Sequence, residues 1–266
     1  VLHVAAKAGM WGSYQDFYLP NVRGTENILA ACQQLGIPRL VFTSSPSVID
    51  HNEPIEGGDE SLPYPAQFVS HYSATKALAE QMVLAANSPA LATVAIRPPL
   101  IWGPGDTQFM PRFIQRARQG RLLRVGAGEY LADTTYIDNA AAAHLLALDR
   151  LAPDAPIAGR VYFISNDEPR PVHTMINGMI SAAGFPPMRI TVPKGAVNLA
   201  AGLIEGTYKA LQVQQEPPVT RFLVDQLTKS RWFNISAAKR DLGYVPQVSI
   251  DEGLSRLATH WQEHTP

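Results

Sequence analysis

Continuous apolar runs alternate with long helical segments over the first hundred residues, and that alternation restricts the fold more than any other feature of the chain. The runs are "VLHVAA" from Val1, "RLVFTS" from Arg39 and "ATVAIR" from Ala92. None alternates apolar with polar residues, so each reads as a strand covered on both faces. Between the first two lies "DFYLPNVRGTENILAACQQLG", which has helical periodicity and ends on Gly36, a residue suited to a C-cap. Between the second and third, after a loop carrying Pro54, Gly57, Gly58, Pro63 and Pro65, lies "SHYSATKALAEQMVLAANS". Ser70 can cap that helix, with Glu80 and Gln81 on a polar face. Strand, helix, strand, helix, strand with doubly covered strands predicts an α/β chain built on a doubly wound parallel sheet. Such sheets bind ligands beyond the carboxyl ends of their strands.

Past residue 100 the alternation weakens. "PRFIQRARQGRL" and "YIDNAAAAHLLALDRL" read as helices, and "RVYFIS" as one more sheet strand near 160–166. "VHTMINGMISAAG", "PVTRFLVDQLTKS" and "NISAAKRDLGYVP" follow as helices. Asn234 or Ser236 can cap the last of these, and Gly243 and Pro246 stop it. Asp138 and Asn139, at the start of a helix, read as caps. The apolar stretch "GAVNLAAGLI", between Lys194 and Glu205, is too short to span a bilayer. A core helix, a lid over an apolar pocket and a surface anchor all fit it.

The composition excludes several classes of function. A net charge of -1 gives no long-range field toward nucleic acid. Arg116, Arg118, Arg121 and Arg124 read as the solvated face and end of a helix rather than a phosphate site. The single cysteine, Cys32, lies on an apolar helix face; no disulfide forms within the chain, which suits a reducing, cytoplasmic setting. His260 and His264 have metal-ligand spacing but no third ligand, so no metal site is expected. No G-x-S-x-G elbow supports a hydrolase.

Tyr72 and Lys76 stand four apart at the start of a helix and share one of its faces. A free tyrosine titrates near 10 and is a poor proton carrier at neutral pH. A nearby ammonium stabilises its phenolate and can also hold ribose hydroxyls. The spacing alone is weak, but it follows a serine-rich strand end, "VFTSSPSV", which offers Ser44, Ser45 and Ser47 as partners for a reacting oxygen.

The ordered stretches "HVAA", "NVRGTENILAAC", "LVFTSSPSV", "YSATK", "RPPLIWGPGD", "DTTYIDNAAAAHLLAL" and "NISAAKRDLGYVP" resemble the extended short-chain dehydrogenase/reductases of the NAD-dependent epimerase/dehydratase superfamily. The resemblance implies a Rossmann-type sheet, NAD or NADP as cofactor, and hydride exchange between nicotinamide and a substrate carbon. It implies Ser45, Tyr72 and Lys76 as the catalytic residues and Asn21 as a support. Ala5 and Ala6 would pass the cofactor ribose, alongside Tyr72 and Lys76, and Pro98, Pro99, Leu100 and Ile101 would line the carboxamide. Residues 1–100, with the later strand, would form part of the cofactor domain, and 101–266 a smaller, mostly helical substrate-binding region interleaved with it.

Sugar-nucleotide epimerases carry an Arg-Asp pair whose arginine meets a diphosphate; here Asp133 follows Ala132. With "TSSPSV" and "EGGDESLPYP", this is most similar to the 3β-hydroxysteroid dehydrogenase group, which includes sterol 4-carboxylate 3-dehydrogenases and bacterial 2-alkyl-3-oxoalkanoate reductases. "AAKAGMWGS" and "IWGPGD" lean toward the latter. The implied partner is a lipophilic alcohol or ketone, with no nucleic acid and no transmembrane segment; peripheral membrane contact and a homodimer stay open. A sugar-nucleotide epimerase/dehydratase and a non-catalytic binding remnant are the alternatives. The start of the chain shows no G-x-x-G-x-x-G. A fragment lacking its N-terminal strands, with an exposed apolar edge and weak hold on NAD(P)H, is therefore expected.

Overall fold

In the computed structural model, which describes every residue except Met10, Gln212, Gln214, Thr265 and Pro266, the apolar runs pair side by side. The main sheet has the order β1 (Leu2–His3), β2 (Arg39–Thr43), β3 (Ala92–Arg97), β4 (Arg160–Phe163). All three pairings are parallel, with Leu2 against Val41, Thr43 against Ile96 and Arg97 against Phe163. The carboxyl ends therefore share one edge. Every residue of β3 is buried, which is why its sequence has no polar alternation. "VLHVAA" contributes only Leu2–His3, because the chain leaves the sheet at Val4, which is exposed.

Helices cover both faces. Helix α1 (Tyr14–Tyr18) runs through a π-helical turn (Leu19–Arg23) into α2 (Gly24–Gln34). Gly36 follows with φ of +63°, as a C-cap glycine should. Helix α3 (His71–Ala85) starts where the Ser70 hydroxyl accepts the Ser73 N–H at 3.1 Å. On one side of the sheet Leu29 and Cys32 of α2 and Ala79 and Val83 of α3 pack on Leu40, Phe42 and Ala95. On the other, Ala143 and Ala147 of α5 (Ile137–Arg150) pack on Val41, Val94 and Ile96.

A second core joins Trp102, Met110 and Ile114 to Met175, Met179, Ile250 and Leu257. It unites α4 (Met110–Arg118), α6 (Val172–Ala182) and α10 (Ile250–His264). Helices α7 (Lys194–Ala210) and α8 (Arg221–Leu227) pack on each other beside it. Helix α9 (Ser236–Leu242) ends on the left-handed Gly243, and Asn234 Oδ1 accepts the Ser236 N–H at 2.9 Å.

Two readings of the sequence are corrected here. Asn139 is no cap: its buried amide donates to the Val248 carbonyl at 2.7 Å and accepts from the N–H groups of Gln247 and Val248. It latches the C-terminal segment onto α5. Asp138 pairs instead with Arg256 at 3.1 Å. Among the described residues no helix is long and apolar enough to cross a membrane.

Candidate active site

Because α3 begins at Ser70, Tyr72 stands in its first turn and Lys76 one turn later. Lys76 is only 2% exposed. Its Nζ donates to the Thr43 carbonyl at 2.6 Å, where β2 ends, and sits 4.1 Å from the centre of the Phe42 ring. Burial brings its pKa down to about 8, with the charge of Glu80 acting in the opposite direction. One N–H of the ammonium is used on Thr43; the others are available at the carboxyl edge of the sheet. A charged group with spare donors at that place suits the vicinal hydroxyls of a nicotinamide ribose.

Ser45 caps the 3-10 turn Pro46–Ile49. Its Oγ accepts the Ser47 N–H at 3.2 Å and the Ser47 hydroxyl at 3.0 Å. With its acceptor side so occupied, the Ser45 hydroxyl hydrogen is left to point at another oxygen. That oxygen is near: burial pushes the Tyr72 phenol above its ordinary pKa, and the hydrogen bond from Ser45 pulls it back. The expected pull of Lys76 on the phenol is not part of this balance, because the ammonium is turned onto the Thr43 carbonyl. Ser44 is buried, its N–H held by the Ile96 carbonyl at 2.7 Å and its hydroxyl without a hydrogen-bond partner among the described residues.

Asn21 lies in the π-helical turn, a common placement for a residue with a special task. Its Oδ1 accepts the Lys7 N–H at 2.7 Å, and its Nδ2 donates to the Lys7 carbonyl and to Thr75 Oγ1, both at 3.1 Å. It thus ties the segment leaving β1, which carries the exposed Ala5 and Ala6, to the helix that carries Tyr72 and Lys76. Pro98, Pro99, Leu100 and Ile101 leave the carboxyl end of β3, and Leu100–Trp102 pairs with Thr134–Tyr136. The sites read from sequence therefore gather at the exits of three adjacent parallel strands.

Other members of this neighbourhood are not evident from sequence. Glu80 does not lie on a polar face; it is fully buried, four residues beyond Lys76. Arg97 grips it through two bonds of 2.9 and 2.6 Å, and the Tyr64 hydroxyl donates to it at 2.6 Å. The buried His144 bonds Thr43 Oγ1 at 2.7 Å and the Ala140 carbonyl at 2.7 Å, steadying the strand end that receives Lys76. The i, i+4 step from Lys76 to Glu80 was the available signal; nothing in the chain order links Arg97, Tyr64 or His144 to it.

Tyr72 and His71 open onto a cleft of about 530 Å³ walled by Trp11, Phe17, Phe68 and Phe222, with Glu205 and Lys209 of α7 on its far side. Glu205 is neutralised by the backbone N–H and Nε of Arg221, at 2.7 and 2.9 Å. Aromatic side chains stand on its wall among small and polar ones. Helix α7 reaches it through Glu205 and Lys209, just past the apolar stretch read as core, lid or anchor, which is largely exposed or half-buried and so is not a core helix.

The profile of the 3-beta hydroxysteroid dehydrogenase/isomerase family matches residues 1–192. The chain belongs to that family. Within it, the chain is 52% identical over 259 residues to a 2-alkyl-3-oxoalkanoate reductase of Stenotrophomonas maltophilia, covering 97% of this chain and 78% of the relative. It is 36% identical to a decarboxylating sterol-4-alpha-carboxylate 3-dehydrogenase of Saccharomyces cerevisiae, covering 99% of this chain and 76% of that one. A crystal structure of UDP-glucuronic acid 4-epimerase from Bacillus cereus with NAD superposes at a TM-score of 0.69 and 21% identity, covering 97% of this chain and 72% of that one. At that identity the likeness is one of fold. Family membership agrees with the resemblance read from the sequence, and the parallel sheet with that expected of it.

Proposed function

We propose that this family member is an NAD(P)-dependent oxidoreductase that interconverts a ketone and a secondary alcohol on a lipophilic substrate, with 2-alkyl-3-oxoalkanoates as the favoured class. The observation that carries the reading is the Ser45–Tyr72–Lys76 arrangement at the carboxyl edge of the sheet, with Tyr72 on the wall of a cleft that Trp11, Phe17, Phe68 and Phe222 also line. Bound NAD(P)H supplies the hydride. Ser45 donates to the substrate oxygen and fixes it beside the phenol. Tyr72, protonated at neutral pH because burial raises its pKa, gives its proton to that oxygen during reduction and takes it back during oxidation. Lys76 holds the ribose hydroxyls, and Asn21 keeps α3 in register with the strand exits. Ala5, Ala6 and Pro98 to Ile101 border the cofactor. Residues 1–100 with β4 act as the cofactor part and the remainder of 101–266 as the substrate part.

The epimerase alternative is weaker. Ala132 pairs in register with Arg170 and Arg231, so either arginine could have stood in for the missing one. Both guanidinium groups are taken by carboxylates, Arg170 by Asp251 at 2.6 Å and Arg231 by Asp50 at 3.1 Å.

Steady-state assays with NADH and NADPH on a 2-alkyl-3-oxoalkanoate and on a UDP-sugar test the proposal. Turnover is expected on the oxo acid alone, and Tyr72→Phe should lower kcat by about 100-fold or more, the scale of a positioned general acid. Turnover of the UDP-sugar with none on the oxo acid, or near wild-type kcat in the variant, would reverse it.

A further inference from the structure

We infer that Lys209 sets the specificity of the cleft for an acid: its ammonium pairs with the carboxylate of the substrate while the ketone oxygen lies against Tyr72. A lysine in the last turn of a helix is ordinary by itself, and Lys209 has that place in α7. It differs in lining the cleft into which Tyr72 opens, and in having no carboxylate partner among the described residues. The turn that carries it is tied to the loop leaving β1. Trp11 Nε1 donates to the Val213 carbonyl at 3.3 Å, and the Trp11 ring meets Tyr208 edge-on, with centres 6.3 Å apart. Trp11 is itself on the cleft wall, so this tie holds the Lys209 turn at the cleft.

Most of the other polar groups on the wall are already committed. Glu205, the second charged residue there, accepts the Arg221 N–H on Oε1 at 2.7 Å and Arg221 Nε on Oε2 at 2.9 Å, so it presents little free charge. The Thr220 hydroxyl accepts the Leu223 N–H at 3.1 Å, and the Ser70 hydroxyl accepts that of Ser73, also at 3.1 Å. The His71 ring packs edge-on against Tyr14, with centres 5.7 Å apart. Among the described residues, the charge left over is one cation facing the rings of Trp11, Phe17, Phe68 and Phe222. That is the complement of an amphiphilic anion, with alkyl groups against the rings and a carboxylate on the ammonium. A carboxylate entering such a cleft without a cation would lose hydration with nothing in return.

The favoured substrate carries its carboxylate on the carbon next to the ketone, a premise that rests on the proposed function. With the ketone oxygen on Ser45 and Tyr72, a hold on the carboxylate removes the rotation left between the two groups and turns the alkyl branches to the aromatic side of the wall. The four-carbon stem of lysine supplies the reach that this needs, and its three N–H donors can meet either carboxylate oxygen. Lys209 binds and orients; it takes no part in moving the proton or the hydride.

Steady-state oxidation of a 2-alkyl-3-hydroxyalkanoate and of its methyl ester, with NAD+ or NADP+, tests the inference. The ester keeps the carbon skeleton and loses the charge. Wild type should prefer the acid. Lys209→Met should lower the acid-over-ester ratio of kcat/KM by about tenfold or more, the scale of a hydrogen bond to a charged group, and the loss should sit in KM for the acid. Lys209→Arg should keep most of the ratio, and added salt should erode it in wild type. Lys209 is exposed, so the thermal melts of both variants should match wild type. A ratio that Lys209→Met leaves unchanged, or a wild type that does not prefer the acid, overturns the inference. If wild type oxidises neither compound, the catalytic reading falls, and calorimetry of the hydroxy acid with the protein decides the pairing by itself. Binding that Lys209→Met weakens by a similar factor upholds it; binding that the change leaves intact, or no binding at all, overturns it.

Discussion

Lys76 is held in a state that costs the fold stability at neutral pH. Its ammonium is buried, with one carbonyl and one aromatic face for company, and its pKa falls to about 8. The unfolded value is near 10.4, so the folded-state value is depressed. Below pH 8 both states carry the proton, and the folded chain bears the full desolvation penalty. As pH rises from 8 toward 10.4 the folded chain gives up its proton first, and stability rises. Lys76→Met should therefore be more stable than wild type at pH 7, by about 1–3 kcal/mol after allowing for the bond lost at Thr43. The gap should close by pH 10, and the variant should be nearly inactive. Urea melts at pH 7 and 10 measure it; a variant less stable at pH 7, or a gap that does not change with pH, refutes the argument. The depressed value also means that any ribose contact made by the charged ammonium fades above pH 8.

The elements show what a linear reading can reach. The strand "ATVAIR" and the helix after Ser70 were legible because their signals are local: an unbroken apolar run, a capping serine, a period of 3.6. "VLHVAA" promised a longer strand than Leu2–His3, since pairing depends on neighbours that a run of side chains does not name. Glu80 and Asn139 were misplaced for a related reason. Each is polar, each lies where polar residues are usually solvated or capping, and each is buried by partners at distant positions, Arg97 and Val248. The π-helical turn was not legible at all, although it decides where Asn21 points. Asn21 is 2% exposed and satisfies both backbone groups of Lys7 as well as Thr75. Asn21→Ala should leave buried polar groups without partners and lower stability by about 2–3 kcal/mol. It should also release the segment from Ala5 to Lys7 relative to α3, so kcat should fall further than in a stability-matched surface variant. Chemical denaturation with parallel kinetics checks both; an unchanged kcat would make Asn21 a structural residue only.

The main sheet and the smaller sheet of Ile55–Gly58, Leu131–Ala132, Arg170–Pro171 and Arg231–Phe233 meet at Asp133. Its N–H donates to the Arg231 carbonyl at 2.9 Å, and its Oδ2 accepts the Phe233 N–H at 2.8 Å. Phe233 in turn stacks on Phe163 of β4, ring centres 4.4 Å apart. A carboxylate is therefore placed where the smaller sheet packs on β4 of the main sheet. Burial, with the charge of Asp167 adding to it, raises the Asp133 pKa to about 6, against the bonds from Phe233 and Ser165. The folded-state value lies above the unfolded one, so the folded chain keeps this proton longer. The stability tied to Asp133 is fully present below about pH 4 and is lost as pH rises through 6. This runs opposite to the usual loss of stability in acid, and it should appear as a decline between pH 4 and 7. Asp133→Asn keeps an acceptor for the Phe233 N–H without the charge. The variant should exceed wild type by about 2–3 kcal/mol at pH 7.5 and match it near pH 4. Because the joint couples both sheets, the gain should appear in the single global transition rather than as a separate local one. Urea denaturation at the two pH values, followed by tryptophan fluorescence and circular dichroism, decides it. A variant less stable than wild type at pH 7.5 would mean that the carboxylate is stabilised by more than Phe233 and Ser165 supply, and the charge at the joint would then be holding the sheets together.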